Sequence, residues 1–268
     1  KPVEFKGGYS LDFKTCKPSE YITEIRAKKD LSPLSVNIVK GDFRLDGFVL
    51  DGKHRNVYRG FALQVVGNIM TPLIWMSIRD GNVYMENNTL VNGNNTAVSF
   101  HAVNTKVFIK NNLIVGNRGS GIYVNSNTRN SDFEIKGNII AYTWSKVSEK
   151  NIQDEASAIL NETYSASYTI KGNTIAFNQH GVQNNSKTND AICIDNNLFF
   201  SNVHSDYYYF KKDTFKVAEF GDSNIHSSES NISEKPKFQL LKKMQENVKR
   251  FYAPAFELAE IIEVFKVR

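Results

Sequence analysis

The chain has 268 residues, 41% of them hydrophobic, and a mean hydropathy of −0.39. No stretch approaches the ~20 apolar residues of a membrane-spanning helix, so an integral helical membrane protein is excluded. The net charge of +5 favours an acidic partner, and without a basic stripe interleaved with aromatics the partner is not a nucleic acid.

In chain order, residues 1–35 are of mixed charge, carry Pro18 and Pro33, and are expected to form an N-terminal cap. The chain starts at Lys1 without the zones of a signal peptide, so a mature chain is expected and export is not read directly from the sequence. From Val36 to Leu50 apolar and polar residues alternate, the period of a strand with one buried face. Asp42, Asp46 and Asp51 are the densest early carboxylates and a candidate for calcium. Asp46-Gly47 and Asp51-Gly52 are also turn dipeptides, which accounts for them as corners; no metal ligand is assigned.

From Val83 onward one phrase recurs: a short apolar strand, Asn or Gly, then Asn, then another apolar run. It reads Val83–Val91, Val107–Val115, Phe133–Ile140, Tyr168–Ile175 and Ile192–Phe200. The second Asn falls at 88, 112, 138, 173 and 197, in steps of 24, 26, 35 and 24. Self-similarity at this period marks a solenoid, whose units bury their apolar faces only against each other. Asn tolerates left-handed corners and bonds nearby backbone, so a stacked amide ladder is expected. These asparagines are therefore structural and not catalytic.

Each coil closes through a further strand containing Val98, Ile122, Ala158 or Val182, taken as inward. Alternation then makes Ser99, Tyr123, Ile159 and Gln183 one outward column and His101, Asn125, Asn161 and Asn185 another. That face is the expected working surface. The long step carries an insertion from Trp144 to Glu155, either a groove wall or an excursion with Trp144 tucked against the coil. Beyond residue 236, Phe238, Leu241, Met244, Val248 and Phe251 follow helical spacing, and a second apolar series follows Pro254. Residues 236–268 are thus read as a C-terminal helical cap, or alternatively as helices that bind a partner protein. Cys16 and Cys193 are expected to be free thiols.

The expected architecture is all-β: a parallel β-helix of about six to eight coils over 36–235, between the two caps. The repeated phrases, together with Gly7–Phe13 and Asn231–Phe238, resemble the right-handed parallel β-helix proteins of the pectate lyase-like superfamily. That resemblance implies an exported or cell-surface protein that engages an acidic polysaccharide, with lyase chemistry as its enzymatic form. The alternative is a noncatalytic surface protein in which the stack is a rigid spacer. The chain lacks the Asp-Pro-His-Asp run of alginate epimerases, the Arg-x-Pro-x-x-Arg of classical pectate lyases and the Gly-His-Gly of polygalacturonases. A uronate lyase needs a base, a cation and an acid. His101, Tyr123 and Arg118 are the catalytic candidates, with Lys106, Asn125, Asn161, His180 and Gln183 as substrate-binding residues.

Overall fold

Apolar alternation and left-handed corners close each coil, 24 to 40 residues long, into three short strands. The computed structural model describes residues 2–12, 14–16, 21–25, 34–51, 72–93, 95–144, 156–163, 165–186, 191–209, 213–223 and 225–234. Face A stacks Val3–Lys6, Phe43–Asp46, Asn82–Glu86, Lys106–Lys110, Arg129–Lys136, Ser165–Lys171 and Ala191–Asp195. Face B stacks Thr23–Ile25, Phe48–Asp51, Thr89–Val91, Leu113–Val115, Ile139–Ala141, Thr174–Ala176 and Leu198–Phe200. Face C stacks Leu34–Ile38, Ile74–Arg79, Val98–Val103, Ile122–Val124, Ser157–Asn161, His180–Asn184 and Ser205–Tyr209. All these pairings are parallel, seven strands to a face, so the described residues wind through seven coils. Asp213–Phe215 pairs antiparallel with Ser205–Tyr209 and covers the last strand of face C.

Between faces A and B the residue just before the ladder position supplies the corner: Gly47, Asn87, Asn111, Gly137, Gly172, Asn196 and Ser230 all have positive φ. Glycine and asparagine tolerate this region best, which is why one or the other holds this corner in five consecutive coils. The next residue builds the expected ladder. The backbone N–H groups of Asn88, Asn112, Asn138, Asn173 and Asn197 each donate to Oδ1 of the following Asn at 2.9–3.0 Å, ending on Asn231. Their Nδ2 groups donate to backbone carbonyls of Leu45, Met85, Ile109, Ile135 and Ile170 at 2.8–3.0 Å. Buried amides are thereby satisfied in both directions along the stack.

A second ladder, not anticipated from the sequence, lines the corner between faces B and C. Asn92, Gly116, Tyr142, Phe177 and Ser201 have positive φ there. The next residues are Gly93, Asn117, Thr143, Asn178 and Asn202. Gly93 N–H donates to Asn117 Oδ1, Thr143 N–H to Asn178 Oδ1, and Asn178 N–H to Asn202 Oδ1, at 2.9, 3.0 and 3.2 Å. The ladder breaks between Asn117 and Thr143. The shorter hydroxyl of Thr143 donates to Asn178, and Asn117 Nδ2 is buried without a hydrogen-bond partner among the described residues.

The interior is one continuous apolar column running from Val36 to Phe220. A second cluster lies at face B, where Tyr142 stacks on Phe177 at 5.2 Å beside Val91, Val115 and Trp144. Trp144 is buried, and its Nε1–H donates to the Phe177 carbonyl at 2.8 Å. Of the two readings for this residue, the tucked one holds; the rest of the insertion, 145–155, lies outside the described residues. So do the expected C-terminal helices, 236–268. Within 1–35, Val3–Lys6 and Thr23–Ile25 are strands of the first coil. Both cysteines are free, as expected, and they sit at opposite ends of the stack.

Candidate functional site

Face C carries two columns on the side away from the core, in which Ser99, Gln183 and Tyr208 are nonetheless buried. Trp75, Ser99, Tyr123, Leu160, Gln183 and Tyr208 stand in register in the first. Ser77, His101, Asn125, Glu162 and Asn185 follow beside them in the second. This corrects the expected columns in the fifth coil. Ile159, not Ala158, is in register with Ile122 and Val182 and points to the core, so Leu160 replaces Ile159 outside and Glu162 replaces Asn161. A slip of one residue exchanges the two sides of a strand, and the long connection leading into this coil gives no signal of where the strand resumes.

Asn161 is accordingly fully buried. Its Nδ2 donates to Asn184 Oδ1 at 2.9 Å, and its Oδ1 accepts from the Thr163 backbone and the Tyr168 hydroxyl, each at 2.8 Å. His180 and Gln183, expected to bind substrate, are also fully buried. His180 Nδ1 lies 2.7 Å from Ser205 Oγ. Gln183 Oε1 accepts from Ser157 Oγ, and its Nε2 donates to Asn185 Oδ1. Lys106 is exposed, but it stands on face A between Asn82 and Asp132. Arg118 is half-buried at the corner between faces B and C, its backbone N–H bonded to the Gly93 carbonyl at 2.9 Å.

Three candidates do share face C: His101, Tyr123 and Asn125, all half-buried. Tyr123 stands opposite Ser99 and not opposite His101, whose coil neighbour is Ser77. The Tyr123 hydroxyl donates to Glu162 Oε2 at 2.6 Å. Burial, and then the Glu162 carboxylate, hold this phenol far above the ordinary tyrosine range, so it stays a neutral donor. Asn125 Oδ1 accepts the Asn127 backbone N–H at 2.7 Å, closing a turn at the end of its strand. Trp75 and Glu162 were missed from the sequence. Trp75 lies upstream of the first repeated phrase, and Glu162 was hidden by the one-residue slip.

Face A carries the other aromatic strip, and it is saturated by its own neighbours. Tyr84 and Phe108 stack at 5.0 Å and 9°. Arg44 covers Tyr84 at 4.7 Å, and Lys110 covers Phe108 at 4.9 Å. Glu134 accepts from Lys110 and Lys136, which hold its carboxyl below the usual range, while Arg44 pairs with Glu4 and Glu86. Two of the early carboxylates are similarly engaged: Asp42 Oδ1 accepts from the backbone and side chain of Asn82, and Asp46 Oδ1 from Asn87 Nδ2. Among the described residues no group of three His, Cys, Asp or Glu side chains gathers as a metal site.

These features define a class: an all-β solenoid of stacked parallel strands with polar and aromatic side chains in register along one face. The chain belongs to the family described as "Periplasmic copper-binding protein (NosD)", which it matches over residues 40–234. A periplasmic family agrees with the expected location outside the cytoplasm. Among the described residues no helix is long and apolar enough to cross a membrane. No curated protein and no solved structure matches the chain.

Proposed function

We propose that this chain is a noncatalytic, exported β-helix, right-handed as the pectate lyase-like resemblance implies, that binds a polysaccharide along face C. The observation that carries this reading is the run of Trp75, His101, Tyr123, Asn125 and Glu162 over successive coils, all exposed or half-buried on one face. Adjacent coils lie about 4.8 Å apart, close to the advance of one sugar along an extended glycan, so a repeating ligand meets a repeating surface. A lyase is disfavoured because its base must lose a proton near neutral pH, and Tyr123 is held protonated by burial and by Glu162. Lys106 sits on another face, so the expected cationic group does not assemble.

The family's description raises copper as a second reading. Copper is held by imidazole, thiolate and thioether donors. The described residues bring only His180 and His204 together, with ring centroids 5.4 Å apart, and Met76 and Met85 are both in the apolar core. Among the described residues no third His, Cys, Asp or Glu joins the two imidazoles. The donors described do not fit a copper site.

Affinity electrophoresis through gels containing neutral or acidic polysaccharides tests the reading, with ultraviolet detection of unsaturated ends to test for lyase activity. Retardation without unsaturated product is expected. Free migration in every gel would refute polysaccharide binding, and accumulation of unsaturated product would refute the noncatalytic assignment.

A further inference from the structure

We infer that the edge strand Val3–Lys6 on face A pairs antiparallel with the same strand of a second copy of this chain, joining two solenoids end to end about a two-fold axis at Phe5. The two ends of the stack differ. At the far end Asp213–Phe215 covers face C, Phe220 packs on Phe199 and Tyr207, and bridges from Ser227 to Cys193 and from Ile232 to Leu198 cover the other two faces. At the near end Val3–Lys6 pairs with Phe43–Asp46 on one side and, among the described residues, with no strand on the other. All four of its residues are exposed.

Register makes this edge apolar on its inner side. Val3 and Phe5 stand opposite the core residues Phe43 and Leu45, and the Phe5 ring lies 6.1 Å from that of Phe43, yet the two are 43% and 49% exposed. They carry the apolar column to a point where a further coil would cover them. Edge strands are commonly blunted by inward-pointing charges. Here the inward residues are the two apolar ones, and Glu4 and Lys6 alternate to the outer side. Two such ends brought together bury Val3 and Phe5 against each other.

The free backbone groups and the charges select the same register. Val3 N–H donates to the Asp42 carbonyl and Gly7 N–H to the Asp46 carbonyl, so the N–H and C=O groups of Glu4 and Lys6 turn away from Phe43–Asp46. With Phe5 opposite Phe5 of the second copy, Glu4 of each chain falls opposite Lys6 of the other. Each of these pairs exchanges two main-chain hydrogen bonds, and the phenylalanines form the closer, non-hydrogen-bonded pair between them. A carboxylate then faces an ammonium at both positions, which stabilises a cross-strand pair. Pro2, having no N–H, ends the pairing on its side. A two-fold contact uses the strand once in each copy, so assembly closes at the dimer.

Sedimentation velocity of the full chain over a concentration series tests this, with thermal melting of each variant as a check on folding. A dimer with a micromolar dissociation constant is expected of so small an interface. Glu4→Lys or Lys6→Glu alone places like charges at both positions and should weaken the dimer about tenfold or more. Mixing the two variants in equal amounts should restore it, because each chain then meets the opposite charge, and restoration also shows that both are folded. A chain that stays monomeric throughout, a dimer unchanged by either substitution, a mixture that remains monomeric, or an open-ended series of larger species would each overturn the proposal. Glycan retardation is unaffected by any of these outcomes, because the outer surface of face C lies along the side of the stack.

Discussion

Replacing Asn112 by Ala removes a single rung from the ladder between faces A and B, and its cost can be followed atom by atom. Asn88 loses the Oδ1 that accepts its backbone N–H at 2.9 Å and its Nδ2 at 3.1 Å. Its Nδ2 keeps the Leu45 carbonyl, so the backbone donor is the group left wholly unpaired. Met85 O loses a donor at 2.9 Å, while Asn138 Oδ1 still accepts the backbone N–H of residue 112. An orphaned buried donor costs about 1–3 kcal/mol, and the small void left by the amide adds to it. The expected loss is about 3 kcal/mol. Asn111→Gly is the control: its φ of 55° suits glycine, and its side chain is exposed, so a change within about 0.5 kcal/mol is expected. Equilibrium urea denaturation followed by circular dichroism measures both, provided the slopes agree. If Asn112→Ala unfolds at the same midpoint as Asn111→Gly, the ladder contributes nothing and the argument fails.

The broken rung of the second ladder is repairable: Thr143→Asn would place an acceptor opposite Asn117, raising stability by about 1 kcal/mol, and an unchanged or lowered urea midpoint would count against that. A Cβ on Gly121 would lie 2.7 Å from the Ala158 carbonyl oxygen and 2.8 Å from Ile140 Cγ2, so Gly121→Ala should lower stability by about 2 kcal/mol in the same assay. Because burial raises the folded-state pKa of Tyr123 above its unfolded value, its contribution is complete below the unfolded pKa of about 10 and is lost as pH rises beyond it. Tyr123→Phe should therefore lessen the alkaline fall in melting temperature, and an identical pH profile would contradict the shift.

The coils between residues 83 and 200 were legible because two local requirements coincide in each phrase, a left-handed corner and an amide that reaches its neighbour. Neither depends on distant residues, so both survive in the sequence as a fixed dipeptide. The second corner was not legible because its requirements are met by unlike residues. Tyr142 and Phe177 hold the positive φ there and stack on each other, and Gly93 and Thr143 interrupt the asparagines. Asn161 was misplaced because alternation assigns a side only once the starting residue is known, and the insertion before Ala156 conceals it. His180 and Gln183 show a different limit, since strand periodicity does not reveal that Ser205 and Ser157 engage them in the folded chain. Trp75 escaped notice because it lies upstream of the repeated phrases, and only the folded register sets it beside Ser99.

The amide column between faces A and B has a polarity. Every rung is capped by the coil after it: Phe48 by Asn88, Asn88 by Asn112, and so on to Asn231. During synthesis the newest coil is thus always unfinished, its inward N–H waiting for an acceptor that has not yet left the ribosome. Assembly acquires a vector, in which each arriving turn locks the one beneath it. A chain cut after any coil should fray from that cut, just as a zip opens from the end lacking its stop.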